Sequence, residues 1–90
     1  MTRFSIIVDG RVQGVGFRFF TQLTASNLKL TGWCKNLHDG RVQIEAQGSE
    51  ETLNQFIISL KKGNNFSRID EMVINEIPII ENEKKYSIKY

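Results

Sequence analysis

The sequence predicts an α+β domain in which two helices cover one face of an antiparallel sheet. Strand-like and helix-like segments follow the order β-α-β-β-α-β, and an Asp-Gly pair marks a hairpin between the two middle strands. The length agrees, because 90 residues can bury one hydrophobic core and little more. We therefore expect a single domain over residues 1–90 that ends in a further short strand.

The first two elements are predicted to be a strand and a helix joined by a glycine loop. Residues 3–8 are rich in β-branched and aromatic side chains, which favours a strand ending near 10–12. The loop follows at 13–17, and from about 17 to 28 the chain has neither Gly nor Pro, as expected for a helix. The predicted apolar face of this helix consists of Phe17, Phe20, Thr24 and Leu28, with Leu23 beside them.

A hairpin is predicted in the middle of the chain. Residues 30–37 favour a strand, Asp39-Gly40 a tight turn, and 41–47 the returning strand. In the returning strand, apolar residues alternate with polar ones, which is typical of a strand with one buried face. The apolar set is Val42, Ile44 and Ala46.

The second helix has the clearest signals at both ends. Ser49 is a favourable N-cap, and Glu50 and Glu51 suit the positive end of the helix dipole. Lysines at 61–62 followed by Gly63 suit its C-terminal end. A single apolar stripe is formed by Leu53, Phe56, Ile57 and Leu60.

Two further strands complete the predicted sheet. After a loop at 63–67, residues 69–77 favour a strand, and Pro78 helps to end it. A polar turn at 82–85 precedes the last short strand at 86–90. The whole order, βαββαβ plus a short C-terminal strand, is that of a ferredoxin-like α/β sandwich.

Composition limits the possible functions. The net charge is only +2, from 12 basic and 10 acidic residues without long runs of one sign, which argues against a dedicated nucleic-acid-binding protein. The single cysteine, Cys34, cannot form an internal disulfide, which suits a reducing compartment. The N-terminal apolar run is too short for a signal peptide or a membrane span. We therefore expect a cytoplasmic protein without membrane association.

The pentapeptide DGRVQ occurs twice, at 9–13 and 39–43, in different settings. The second copy needs only an Asp-Gly turn between two strands. The first is followed by Gly14, Gly16 and Arg18, where a strand gives way to a helix. Glycines allow a tight turn close to a ligand, and the unpaired N–H groups of a helix start attract an anion. Because Arg18 adds a guanidinium that matches phosphate, the first copy predicts an oxyanion site.

Taken alone, this loop leaves other interpretations open. A strand, a glycine loop and a helix also follow one another as plain turn chemistry. The loop lacks the GxxxxGK[ST] pattern of a Walker A motif, and Phe19 stands where the GxGxxG dinucleotide fingerprint needs a third glycine. An Arg at a helix start is usually a solvated charge, and an Asn before a hairpin is usually part of the turn.

Two separate segments resemble the signature segments of one enzyme family. GRVQGVGFR at 10–18 and GWCKNLHDGRV at 32–42 are similar, in order and spacing, to those of the acylphosphatases, which hydrolyse the carboxyl-phosphate bond of acyl phosphates. The likeness extends to SRID at 67–70 and YSIKY at 86–90, so it covers essentially the whole chain. The resemblance implies the same ferredoxin-like fold.

The resemblance also implies the site residues. Arg18 stands at the position of the family's catalytic Arg, and Asn36 at the position of its catalytic Asn. The family's phosphate-binding backbone loop corresponds to Gln13, Gly14, Val15, Gly16, Phe17 and Arg18. Lys29 is a departure, because the family often has Gly there; a left-handed Lys29 would cost on the order of 1 kcal/mol. Cys34 and His38 occupy positions that vary in the family and inherit no role.

The mechanism implied by the resemblance needs few groups. Water attacks the phosphorus, and the carboxylate leaves without help from a general acid. Arg18 and the loop amides would hold the charge on the phosphoryl oxygens, and Asn36 would orient the water. One His, one Cys and scattered carboxylates give no metal cluster. We therefore expect an enzyme that uses no metal or other cofactor and acts on a small-molecule acyl phosphate.

Two competing functions are open at this point. An RNA-binding module shares the fold, and GVGFRFF superficially resembles its aromatic segment, but here the glycines fall between strand and helix. The other is an acyl-phosphate-handling module inside a larger assembly, as related domains are in a carbamoyltransferase. Met1 at the start and a sheet closed at Tyr90 favour a stand-alone, monomeric enzyme that binds no nucleic acid.

Overall fold

A computed structural model describes residues 1–90 and confirms the predicted ferredoxin-like sandwich. One sheet has the strand order β4-β1-β3-β2-β5, and two helices contact the sheet and each other. Both helices contribute side chains to one hydrophobic core. The elements are β1 (Thr2–Arg11), α1 (Phe17–Asn27), β2 (Thr31–Asn36), β3 (Val42–Gly48), α2 (Glu50–Lys62), β4 (Arg68–Ile77) and β5 (Tyr86–Ile88).

The last strand corrects one detail of the prediction, namely that the sheet is antiparallel throughout. β1 to β4 pair antiparallel, but β5 pairs parallel with β2, with Gly32 opposite Tyr86. β5 is parallel to β2 because residues 78–85 cross one end of the sheet from β4 to the opposite edge. Ile77 at the end of β4 lies opposite Arg3, at the end of the sheet where β2 also begins, and the connection crosses that end to the far edge. β5 therefore starts beside the start of β2 and runs the same way.

A buried arginine fixes this crossing connection to the sheet. The Arg3 side chain is fully buried, and its guanidinium donates to Glu83 at 2.7 Å and to Glu45 at 2.9 Å. It also donates at 3.1 Å to Gln47, whose amide bonds both the N–H and the carbonyl of Ile80. Burial raises the pKa of the Glu83 carboxyl, but the hydrogen bonds and charge of Arg3 outweigh burial and hold it below the ordinary value.

The buried face of α1 is rotated relative to the predicted one. Its fully buried residues are Phe17, Thr21 and Ala25. Thr21 tolerates burial because its hydroxyl donates to the Phe17 carbonyl at 2.8 Å, so its polar atom is satisfied within the helix. Phe17 is confirmed as buried, but the other predicted positions are less buried: Phe20, Thr24 and Leu28 are partly buried, and Leu23 is half exposed.

The predicted capping signals of α2 are confirmed. The Ser49 hydroxyl accepts a hydrogen bond of 3.1 Å from the backbone N–H of Thr52, a cap that contributes about 1 kcal/mol. Gly63 follows the helix with a φ of 68°, in the left-handed region. Lys29, after α1, has a left-handed backbone with a φ of 59°, so the cost expected above for that conformation applies. Neither helix combines the length and the apolar character needed to cross a lipid bilayer.

The topology brings three chain segments to the same end of the sheet. β1 and β2 both pair antiparallel with β3 and so run parallel to each other, and β5 follows β2. The carboxyl ends of these three strands therefore point the same way. β1 leads into the glycine loop, β2 ends at Asn36, and β5 leads to Lys89 and Tyr90.

Candidate active site

A cavity of about 270 Å³ lies where these three segments meet. The glycine loop with the start of α1, the end of β2 and the C-terminal residues form its walls. Of the site residues predicted from the sequence, only Gln13 and Val15 are absent from this lining, although both belong to the glycine loop. The lining residues are Val12, Gly14, Gly16, Phe17, Arg18, Phe19, Asn36, Ile88 and Tyr90.

The glycine loop presents unpaired backbone donors. Gly14 and Gly16 have φ values of 73° and 76°, in the left-handed region that favours glycine, and α1 begins directly after Gly16. No backbone carbonyl of the chain accepts a hydrogen bond from the N–H groups of residues 13–19, and no side chain caps the helix. The loop therefore offers several N–H donors at the positive end of a helix, which is a favourable place for an anion.

Arg18 brings a positive charge that no acidic side chain neutralises. None of the ion pairs in the chain includes it. Its guanidinium carbon lies 5.0 Å from the centre of the Tyr90 ring, and Nη1 donates a long hydrogen bond of 3.5 Å to the Lys89 carbonyl. These contacts leave most of its five N–H donors available, so the guanidinium can bind an oxyanion with two of them.

Asn36 carries a buried polar atom without a partner. It is the last residue of β2 and lines the cavity, and its Oδ1 is buried and accepts no hydrogen bond. An unpaired buried acceptor costs about 1–3 kcal/mol, so native proteins retain one where a water molecule, an ion or a catalytic role explains it. The Asn36 amide is therefore suited to hold a water molecule in the cavity.

Gln13 connects the glycine loop to the β2–β3 turn. Its Nε2 donates to the carbonyls of Leu37 and Arg41, both at 2.8 Å. Leu37 directly follows Asn36, so this side chain sets the spacing between the loop and the end of β2. The sequence suggested only a backbone role for Gln13, because no motif spacing reveals which carbonyls a side chain will reach.

Asn64 contacts the glycine loop from the α2–β4 connection. Its Nδ2 donates to the Val15 carbonyl at 2.9 Å. The sequence indicated only a loop at 63–67 and gave Asn64 no role. The contact joins residues 49 positions apart, and only the packed fold brings them together.

Two reactive side chains near the predicted site lie outside the cavity lining. His38 is exposed on the hairpin turn, outside the cavity lining. Cys34 is fully buried, and burial raises the pKa of its thiol to about 11, so the nucleophilic thiolate is scarce at neutral pH. No group of three or more His, Cys, Asp and Glu side chains is close enough to hold a metal ion.

A comparison with protein families and curated proteins gives a consistent result. The acylphosphatase family model matches residues 4–88. An acylphosphatase of Clostridium beijerinckii is 56% identical over 90 residues, which cover all of both chains.

Solved structures agree with the sequence comparison. The crystal structure of acylphosphatase from Bacillus subtilis superposes with a TM-score of 0.95 at 47% identity and covers all of both chains. The crystal structure of T. kodakarensis HypF has a region with a TM-score of 0.88 at 38% identity. That region covers all of this chain but only 12% of the HypF chain.

Proposed function

Since this chain belongs to the acylphosphatase family and hydrolyses the carboxyl-phosphate bond of acyl phosphates, we propose that it does so in the cavity beside Arg18 and Asn36. One observation carries the proposal: a single cavity is lined by unpaired loop amides, an unneutralised guanidinium and an amide with an unpartnered Oδ1. Each of these groups meets one requirement of the reaction.

The charge of the phosphoryl group is the first requirement. The substrate, R–CO–O–PO₃²⁻, reacts with water to give R–COO⁻ and H₂PO₄⁻, so the O–P bond breaks, a new P–O bond forms and total charge is conserved. The carboxylate is a good leaving group, so no acid has to protonate it. Catalysis then consists mainly of holding the charge on the phosphoryl oxygens. The N–H groups of Gln13 to Arg18 and the Arg18 guanidinium perform this task.

The position of the attacking water is the second requirement. A neutral amide is too weak a base to remove its proton. The Asn36 amide, which lines the cavity, instead hydrogen-bonds the water and directs one of the water's lone pairs toward the phosphorus, in line with the leaving carboxylate. Such orientation lowers the barrier because the reacting atoms already have their productive geometry.

The test is hydrolysis of benzoyl phosphate by the wild type, Arg18→Ala and Asn36→Ala, with EDTA present throughout. We expect the wild type to turn over in EDTA and each variant to lose at least about 100-fold in kcat/KM, because Arg18→Ala removes a transition-state donor and Asn36→Ala removes the group that orients the water. Arg11→Ala and Asn27→Ala are the matched controls, because both residues are exposed and lie outside the cavity lining.

Either control falling as far as its counterpart would contradict the assignment of Arg18 and Asn36. Full activity in Arg18→Ala would show that the phosphoryl group of the substrate binds at a site that does not include Arg18. Turnover that stops in EDTA and returns with added metal would disprove the proposed metal-independent reaction.

The remaining parts of the proposal concern the setting of the enzyme. We infer a single acylphosphatase domain over residues 1–90 that uses no cofactor and works as a cytoplasmic monomer. The small net charge and the placement of residues 14–20 in a loop and a helix, rather than on an open sheet strand, favour a small-molecule substrate over RNA. Light scattering at the assay concentration tests the monomer, and a filter-binding assay with single-stranded RNA tests the absence of nucleic-acid binding.

A further inference from the structure

We propose that Asn64 is a positioning residue that aims the backbone N–H of Gly16 into the phosphate cavity. The proposal rests on the proposed function, because it assigns a role to a side chain that supports the phosphate-binding loop. Asn64 lies on the connection between α2 and β4 and is not among the residues that line the cavity. It therefore acts through the loop rather than on the substrate.

The orientation of the Asn64 amide is fixed by its own neighbours. Its Oδ1 accepts hydrogen bonds from the backbone N–H of Phe66 at 3.1 Å and of Ser67 at 2.9 Å. Two N–H donors can bond only the oxygen of the amide, so the nitrogen must be the atom that faces the loop. A further bond of 3.2 Å, from the Asn64 backbone N–H to the Ser67 hydroxyl, closes the turn. The side chain is thus held rigidly with its donor directed at Val15.

The bond from Asn64 to Val15 determines the direction of the next N–H group. The Val15 carbonyl and the Gly16 N–H belong to one planar, trans peptide unit, in which they point in opposite directions. Asn64 holds the carbonyl at 2.9 Å on the outer side of the loop. The Gly16 N–H therefore points to the opposite side, toward the cavity that Gly16 lines.

This contact matters because the loop has little else to hold that peptide. Glycines on both sides of Val15 leave the backbone free to rotate. A rotated Val15–Gly16 peptide would direct a carbonyl oxygen toward the phosphoryl oxygens and would repel them. Asn64 prevents this rotation before the substrate binds, which preorganises one donor of the anion site.

Asn64→Ser and Asn64→Asp test the proposal, with Asn65→Ser and Asn65→Asp as matched controls at the adjacent, exposed position. Asp keeps the oxygen acceptors for the turn and has no donor for Val15, whereas Ser keeps an acceptor on a side chain one atom shorter, so its single hydroxyl cannot replace both the Oδ1 and the Nδ2 contacts. We expect the inhibition constant of inorganic phosphate to rise about five- to tenfold in both Asn64 variants, with a matching loss of kcat/KM for benzoyl phosphate. The Asn65 variants should stay within about twofold of the wild type, and the Asn65→Asp control accounts for the added charge.

A second readout separates positioning from stability. In a phosphate titration followed by ¹H–¹⁵N NMR, the Gly16 amide should shift in the wild type and in Asn65→Ser but much less in Asn64→Ser. An Asn64→Ser variant with a lower melting temperature but wild-type phosphate inhibition and a normal Gly16 shift would overturn the proposal, as would equal losses at 64 and 65. Arg18→Ala is measured in the same inhibition assay to test the phosphate site itself. If inorganic phosphate inhibits Arg18→Ala as strongly as the wild type, the proposed phosphate site is wrong, independently of the role of Asn64.

Discussion

The two copies of DGRVQ, at 9–13 and 39–43, fold into different structures and contact each other. In both copies the valine is buried in the core, as Val12 and Val42. The first copy ends a central strand and continues into the glycine loop, whereas the second forms the β2–β3 hairpin turn. The first copy also donates from Gln13 to the Arg41 carbonyl of the second. The pentapeptide therefore supplies a buried anchor in both places, and the residues after it decide whether a glycine loop or a hairpin strand follows.

The largest expected difference between the copies concerns their glycines. Gly10 has a φ of 138° beside a bulge in the β1–β4 pairing, and a Cβ there would overlap the Arg68 carbonyl oxygen. Gly40 has a φ of 94°, but a Cβ there would meet open space. We expect Gly10→Ala to lower the free energy of unfolding by more than about 3 kcal/mol, and Gly40→Ala by only about 1 kcal/mol. Urea unfolding of both variants measures this, and equal losses would contradict the steric explanation.

The next difference concerns the two glutamines. Gln13→Ala removes two hydrogen bonds of 2.8 Å between the loop and the hairpin, so we expect a loss of about 1–2 kcal/mol in unfolding free energy and about tenfold in kcat/KM. Gln43→Ala, in the second copy, should change stability by less than about 0.5 kcal/mol and leave turnover unchanged. Denaturant unfolding and benzoyl phosphate hydrolysis measure both. If Gln13→Ala lost stability but kept full kcat/KM, the contact would stabilise the fold without positioning Asn36.

The smallest expected effect comes from the carboxylate of the second copy. Hydrogen bonds from the backbone N–H of Arg41, followed by those from its guanidinium, hold the pKa of Asp39 below the ordinary 3.8. Because the folded-state pKa is lowered, the contribution of Asp39 to stability is present above pH 3.8 and is lost as the pH falls through the lowered value. An NMR titration should give a midpoint below 3.8 in the wild type and a higher one in Arg41→Gln. If the Asp39 midpoint is the same in Arg41→Gln as in the wild type, the Arg41 guanidinium does not lower the pKa of Asp39.

Local signals in the sequence predicted the elements and their order. Ser49 and Gly63 bracket α2 as the capping rules require, and the Asp39-Gly40 turn joins β2 to β3. These predictions succeed because caps and tight turns depend on residues within a few positions of each other. Arg18 and Asn36 could be singled out for the same reason, since each stands in a short segment that resembles the family.

The sequence could not predict features that depend on distant parts of the chain. The parallel pairing of β5 follows from a connection that Arg3 and Glu83, 80 positions apart, hold in place. The buried face of α1 is set by its packing against distant strands: Thr21 and Thr24 both satisfy their hydroxyls within the helix, and only Thr21 is fully buried. The contacts of Gln13 and Asn64 with backbone carbonyls leave no trace in spacing or composition, because any carbonyl is an equivalent acceptor.

The parallel placement of β5 has a practical consequence for fusion proteins. Tyr90 lines the cavity, so an affinity tag or fluorescent partner attached after it would begin at the edge of that cavity. Met1 lies at the opposite end of β1, in a molecule whose longest dimension is 31 Å. An N-terminal fusion therefore keeps its linker away from the cavity and is the better choice for immobilising the enzyme on a surface.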